Sequence, residues 1–377
     1  MWLHSAIALA VLAVASALFL KFAPLPWCWI WLMLAAGMIA LLRLQRKHPG
    51  KRWKLICINL IPICIFMSGA EWFFSRLEGG VTTWQDAEAV GSDPVLGSAP
   101  IPGAANHFRM SSQGREIASG EITIDRLGNR ITPVSPADGG STVFYGCSFT
   151  FGLGLSDHET LPWQFAQATG RPVFNLALNG YGPQQLLAML ESGRFSERVE
   201  QSPELVIYLA LPCHLERLNG EPSFSANSPR YRLKNGELRR DGTFLPFDGI
   251  PLLGVSARQL FKSPVFSRLY SALRRSSLND RERRELFRAA VLKMDELLAQ
   301  QAPNARFVVL NYDSPDDTVG ECLAGLPVTV IRCSELTDKD LEDPGYHIPV
   351  DGHPSGTLWR EMMPGILRTL EIKPRTD

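Results

Sequence analysis

The sequence lacks the spacings of cysteine and histidine that hold metal ions. None of its seven cysteines belongs to a Cys-x-x-Cys pair, and its seven histidines show no zinc-ligand spacing. Gly152-Leu153-Gly154 has no third glycine at the position that a dinucleotide-binding loop requires. We therefore expect neither a metal site nor a cofactor.

The chain also lacks net charge, since 38 Lys and Arg balance 38 Asp and Glu over 377 residues. Residues 1–74 hold seven of the basic residues and one acidic residue, Glu71, which leaves a net charge of −6 on the remainder. A domain with excess acidic charge does not suit a nucleic-acid partner. We find no internal repeat that would indicate a solenoid.

Charged residues are missing from two long stretches near the N-terminus. Trp2–Leu20 and Leu25–Leu42 contain no Lys, Arg, Asp or Glu, and a third apolar run, Leu55–Ala70, follows. A membrane-spanning helix needs about 20 apolar residues. The sequence therefore predicts a membrane module of three transmembrane helices in residues 1–74. A cleaved signal peptide is the alternative for the first run, although Met1–Ser5 lacks Lys and Arg.

The loop Arg43–Lys54 sets the expected orientation, because it holds six Lys and Arg residues. Loops rich in Lys and Arg stay in the cytoplasm. The third helix would then run outward. We expect a multi-pass protein of the inner (cell) membrane, with everything after about Phe74 in the periplasm.

Beyond the membrane module, residues 75–140 are rich in Gly, Pro, Ser and Asp and predict a linker that ends in a small β-hairpin, Glu121–Asp125 with Arg130–Thr132. From Ser141 onward, predicted strands alternate with helices. This pattern predicts an α/β domain over residues 141–377, a three-layer sandwich with a mostly parallel sheet. A stretch at about 218–278 has little periodicity and is interpreted as an insertion.

One short stretch carries the first candidate for chemistry. The apolar run Thr142–Tyr145 leads into Gly146-Cys147-Ser148. This pattern predicts a buried strand that ends in a sharp turn and exposes the Ser148 hydroxyl at the carboxyl edge of the sheet. Serine after a strand is also an ordinary turn residue or helix cap.

The second candidate stretch is Asp351-Gly352-His353, followed by Pro354 and Ser355. An Asp two residues from a His can place its carboxylate against the imidazole. A catalytic triad needs this pairing, because the His takes the serine proton while the Asp orients it. A plain polar loop before a helix is the alternative.

Together these stretches resemble the SGNH (GDSL-like) hydrolase and acyltransferase superfamily, in its membrane-anchored bacterial form. The resemblance covers roughly residues 141–217 and 305–370, and it implies Ser148, His353 and Asp351 as a catalytic triad. Cys147 stands where the family usually has an Asp, and Asn175–Gln184 is similar to the second block. There the resemblance implies the backbone N–H groups of Ser148 and Gly180 as oxyanion donors.

The third block departs from the family, since the usual Asn is absent after the strand Leu205–Leu211. Cys213 is a weak donor, whereas the ring of His214, next to it, could donate to the oxyanion instead. A structural histidine at a strand end is the alternative. Disulfides between Cys147 and Cys213, or between Cys322 and Cys333, also stay open.

We expect a membrane-anchored serine esterase that removes an O-acyl group, such as acetyl, from an envelope glycan or lipid-linked substrate. An O-acyltransferase in cell-surface polysaccharide modification, working with envelope polysaccharide assembly proteins, is an alternative. So is a non-catalytic glycan-binding scaffold that kept the fold. These substrates follow from location and resemblance.

Overall fold

The computed structural model describes residues 27–44, 51–77, 81–85, 89–133, 140–245 and 263–375. The chain divides into two compact units. The first comprises Met1–Gly79 with Phe247–Tyr270, and the second comprises Gly80–Pro246 with Ser271–Asp377. Part of the expected insertion therefore belongs with the N-terminal unit.

The second and third apolar runs form two helices, α1 (Trp27–Leu44) and α2 (Lys51–Leu77). They pack on each other, and the Ser68 hydroxyl of α2 donates a hydrogen bond to the Cys28 carbonyl of α1. In the described part of the chain, one segment, Lys54–Ser75, is long and apolar enough to cross a membrane, and Cys28–Ile39 is a shorter apolar helix. The first predicted span, Trp2–Leu20, lies outside the described residues.

The second unit is built on a parallel sheet, as the alternating pattern predicted. Its strand order is β12-β11-β8-β6-β7, and neighbouring strands run parallel throughout. The strands are β6 (Ser141–Tyr145), β7 (Val173–Asn175), β8 (Pro203–Ala210), β11 (Arg306–Asn311) and β12 (Thr329–Arg332).

Helices cover both faces of this sheet, which gives the expected three layers. Val206 and Tyr208 of β8 face one apolar core, and Ile207 and Leu209 face the other. Successive side chains of a strand point to opposite faces, so a sheet covered on both sides needs continuous apolar strands. The helices of this unit are α3 (Ser148–Phe151), α4 (Leu161–Thr169), α5 (Pro183–Glu191), α6 (Arg194–Arg198), α7 (Cys213–Leu218), α9 (Asp280–Gln301), α10 (Thr318–Leu323) and α11 (Gly356–Leu370). The division between the units at Tyr270 falls within α8 (Pro264–Arg275).

The segment expected to be a linker contains more structure than the sequence indicated. Its strands are β1 (Thr82–Gln85), β2 (Val90–Asp93), β3 (Gly97–Pro100), β4 (Ala105–Ser112) and β5 (Arg115–Thr123). They form a β1-β4-β5 sheet and a β2-β3 hairpin. The predicted turn after Glu121–Asp125 is present, with an isolated bridge between Ile124 and Arg130. The segment expected as a linker with a small β-hairpin therefore holds further strands, and alternate residues of β4 are buried, which requires a partner layer.

The insertion contributes a hairpin of β9 (Pro229–Lys234) and β10 (Glu237–Thr243). Single 3₁₀ turns occur at Asp157–Glu159, Ser223–Ser225, Cys333–Glu335 and Pro344–Tyr346.

Candidate active site

Ser148 lies where β6 ends and α3 begins. The turn depends on Gly146, because a Cβ at that position would lie 2.2 Å from the Thr150 hydroxyl oxygen. The first turn of α3 closes with the Phe151 N–H donating to the Cys147 carbonyl at 2.8 Å. This geometry places the Ser148 side chain, 6% exposed, at the carboxyl edge of the sheet.

Asp351 and His353 lie on a tight loop that precedes α11. The Ile348 N–H donates to the His353 carbonyl at 2.8 Å, and the Ser355 N–H donates to the Tyr346 carbonyl at 2.8 Å. Ser355 then forms the N-cap of α11, and its side chain accepts a hydrogen bond from the Leu358 N–H. The loop is therefore held at both ends.

The structure brings the three predicted residues together although 205 residues separate Ser148 from His353. The distance from Ser148 Oγ to His353 Nε2 is 2.8 Å. His353 Nδ1 is hydrogen-bonded to Asp351 Oδ2. When the Nδ1–H group of His353 donates its hydrogen bond to Asp351, the unprotonated Nε2 can accept the proton of Ser148. The Phe149 ring packs edge-on against the imidazole, and the centroids of the two rings are 5.2 Å apart.

Gly180 follows β7, the neighbour of β6 in the sheet, so its loop reaches the same edge as Ser148. Its backbone is left-handed, with φ of 80°. The next residue holds the loop, since Tyr181 is buried and its hydroxyl donates to the Ser98 carbonyl at 2.7 Å. The oxyanion role of Gly180 stays a prediction.

His214 lies in α7, and its side chain is completely buried. The ring stacks on Tyr208, and Nδ1 accepts from the Leu211 N–H at 3.3 Å, so its proton resides on Nε2. Nδ1 also lies 2.7 Å from the Tyr208 hydroxyl. Among the described residues, Nε2 makes no hydrogen bond. This burial favours the structural alternative, and the oxyanion role of His214 stays a prediction.

The pKa of His214 has a consequence for stability. Burial, and next the charge of Arg217, hold this pKa well below its ordinary value of 6.5. Below about pH 6.5 the unfolded chain takes up a proton that the folded chain does not. The free energy of unfolding should therefore fall with decreasing pH, by about 1.4 kcal/mol per unit from this group, until the folded pKa is reached.

His214→Gln should lack that component, so the pH dependence of its unfolding free energy between pH 7 and 5 should be shallower than in the wild type. Urea unfolding at several pH values measures both slopes. Equal slopes would contradict a buried neutral histidine.

Two arginines near the site were given no role from the sequence. Arg130 is buried and binds the segment that follows Ser148, and it was interpreted only as part of a hairpin. Arg217 donates from Nη1 to the Tyr181 carbonyl at 2.8 Å. The spacing of Arg217 four residues after Cys213 on one helix was the available signal.

The cysteines near the site are unpaired, and all seven in the chain are free. Burial raises the pKa of the Cys213 thiol to about 12. Cys322 donates to the Arg284 carbonyl at 3.4 Å and is not linked to Cys333.

No family model and no curated protein matches the chain. Solved structures do match. An acetyl xylan esterase (Est2A) from Butyrivibrio proteoclasticus is 12% identical, with a TM-score of 0.37, over 70% of this chain and 67% of that one. A family two carbohydrate esterase from Cellvibrio japonicus is 12% identical, with a TM-score of 0.35, over 77% and 99%.

A protein from Desulfitobacterium hafniense DCB-2, assigned to the lipolytic G-D-S-L family, is 16% identical, with a TM-score of 0.34, over 61% of this chain and 99% of that one. Because the TM-scores lie below 0.5, the function is argued below from the site itself.

Proposed function

We propose that this chain is a serine ester hydrolase of the SGNH type. The observation that carries the proposal is the hydrogen-bonded series from Ser148 Oγ through both ring nitrogens of His353 to Asp351. A serine, a base and an orienting carboxylate in this order form an activated nucleophile.

In the proposed reaction, Ser148 Oγ attacks the ester carbonyl carbon as its proton passes to His353 Nε2. The carbonyl π electrons move onto oxygen, and the backbone N–H groups of Ser148 and Gly180 stabilise that oxyanion. When the intermediate collapses, His353 returns the proton to the departing alkoxide. Water then attacks the acyl carbon while His353 takes its proton. The bond from that carbon to Ser148 Oγ breaks, His353 returns the proton to Oγ, and the carboxylic acid leaves.

For the substrate, we propose an O-acyl group, such as acetyl, on an envelope glycan or lipid-linked glycan. The proposal rests on the resemblance and on location. Large apolar side chains of α2 are exposed, among them Leu55, Ile58 and Phe66 at 60%, 55% and 74%. A surface of this kind suits contact with lipid. With the basic loop Arg43–Lys54 in the cytoplasm, the site would face the periplasm.

This orientation is tested with a reporter enzyme fused after Asp377. A reporter that works only after export should be active there, and a reporter that works only in the cytoplasm should be inactive.

The substrate proposal is tested by measuring acetate release from an O-acetylated envelope polysaccharide, using the full chain in detergent micelles. An esterase should release acetate at the same rate with and without a deacetylated glycan acceptor. A transferase should move acetyl groups to the acceptor instead. Failure of Ser148 to react with a fluorophosphonate probe would contradict both and favour a glycan-binding scaffold.

A further inference from the structure

Arg217 lies one helical turn after Cys213 on α7. Side chains four residues apart share a helix face, so Arg217 lies beside the place where the resemblance puts an asparagine donor. We propose that the Arg217 guanidinium is the side-chain donor to the oxyanion formed when Ser148 attacks, which rests on the serine hydrolase proposed above.

Arg217 contacts residues that adjoin the two proposed backbone donors in the chain. Its Nη1 donates to the carbonyl of Tyr181, the residue that follows Gly180. Its charge also interacts with the thiol of Cys147, the residue that precedes Ser148. The guanidinium is therefore held next to the chain neighbours of both N–H groups.

Arg217 also has hydrogen-bonding capacity left. Among the described residues, its buried Nε makes no hydrogen bond. Leaving a buried, charged N–H unpaired is costly. An oxyanion that forms during the reaction would pair with a guanidinium N–H in the transition state, which is the condition for lowering the barrier.

Phe224 lies beside both Arg217 and Gly180. Its ring centroid is 5.7 Å from Arg217 Cζ, and a Cβ on Gly180 would lie 3.2 Å from the same ring. The residue is 62% exposed, so it lies at the surface next to the guanidinium. An apolar ring displaces water from the side that it contacts, and fewer waters strengthen the attraction between a guanidinium and a negative oxygen.

Arg217 suits the role better than His214. Burial acts to lower the pKa of Arg217, but the thiols of Cys147 and Cys213 raise it above its ordinary value, so the group stays charged. His214 is neutral, so its Nε2–H, which is also buried without a hydrogen bond among the described residues, is an uncharged donor. Hydrogen bonds from charged donors are about twice as strong as neutral ones. The guanidinium donates hydrogen bonds and transfers no proton, so the proton steps stay with His353.

The test compares Arg217→Met with wild type in the hydrolysis of p-nitrophenyl acetate by the full chain in detergent. We expect kcat to fall by about 10²–10³, as when one oxyanion donor is removed, with KM within about twofold. Arg217→Lys should recover part of the rate because it keeps the charge. Arg281→Met is the matched control, since that side chain is 88% exposed on α9, and its rate should equal the wild type.

Because Arg217 also binds the Tyr181 carbonyl, a second measurement separates catalysis from folding. Guanidinium ion, added to Arg217→Ala at concentrations far below those that unfold the protein, should raise kcat, whereas equal sodium chloride should not. A kcat of Arg217→Met within about twofold of wild type, a loss confined to KM, or no rescue would overturn the inference. If the wild type is inactive and Ser148 does not react with the probe, the proposed function itself fails, and the inference with it.

Discussion

Ser148→Ala and His353→Ala should each lower kcat for p-nitrophenyl acetate by about 10⁴–10⁶, because members of a triad act as one unit. The 2.8 Å contact between Ser148 Oγ and His353 Nε2 is the structural reason. Asp351→Asn should lower kcat by a factor of about 10⁴, since an amide facing Nδ1 favours the wrong tautomer of His353. Steady-state kinetics of the purified full chain measure all three.

The control for this experiment is Ser276→Ala, because Ser276 is an exposed serine at the end of α8, and it should leave kcat unchanged. Thermal unfolding should show that Ser148→Ala keeps the fold, since the change removes one hydroxyl and creates little cavity. Wild-type rates in Ser148→Ala or His353→Ala would exclude the proposed mechanism.

Arg130→Met should lower the free energy of unfolding by about 3–5 kcal/mol, the cost of breaking a buried ion pair by removing one partner. Its side chain is 0% exposed and is bonded to Asp157 Oδ1 at 2.9 Å. Its remaining N–H groups donate to backbone carbonyls, those of Glu121, Phe151, Gly152 and Leu155. Three of these carbonyls belong to the segment just after Ser148, so activity should also fall.

Arg126→Met is the matched control, because Arg126 pairs with Glu200 at the surface, where the side chains are 73% and 49% exposed. A surface pair contributes about 0–1 kcal/mol. Urea unfolding followed by tryptophan fluorescence compares the two variants. If both variants lost a similar amount of unfolding free energy, burial would not explain how strongly the Arg130 contacts stabilise the protein.

The central strands could be predicted because their signal is local. The expected strand Leu205–Leu211 lies within two residues of β8 at each end. A strand covered on both faces must be apolar along its length. The strands β1–β4 were missed, and the predicted hairpin strand Glu121–Asp125 overlapped only the end of β5. The reason is that β1 pairs with β4 across more than 20 residues, and short strands with polar alternate positions resemble loops.

By itself, the sequence determined the chemical groups at the candidate site and one part of its geometry. Asp351 and His353 are two residues apart, so a single loop can bring their side chains together. The apolar composition of α2 is likewise local, since it depends only on consecutive residues.

Only the tertiary structure decided which distant groups join them. Three contacts depend on the order of strands in the sheet. They are the approach of Ser148 to His353, the burial of Arg130 in a segment with the composition of a linker, and the hydrogen bond from Arg217 to the Tyr181 carbonyl. That order follows from the packing of both apolar faces at once. Such packing joins residues far apart in the chain, so local patterns of residues carry little information about it.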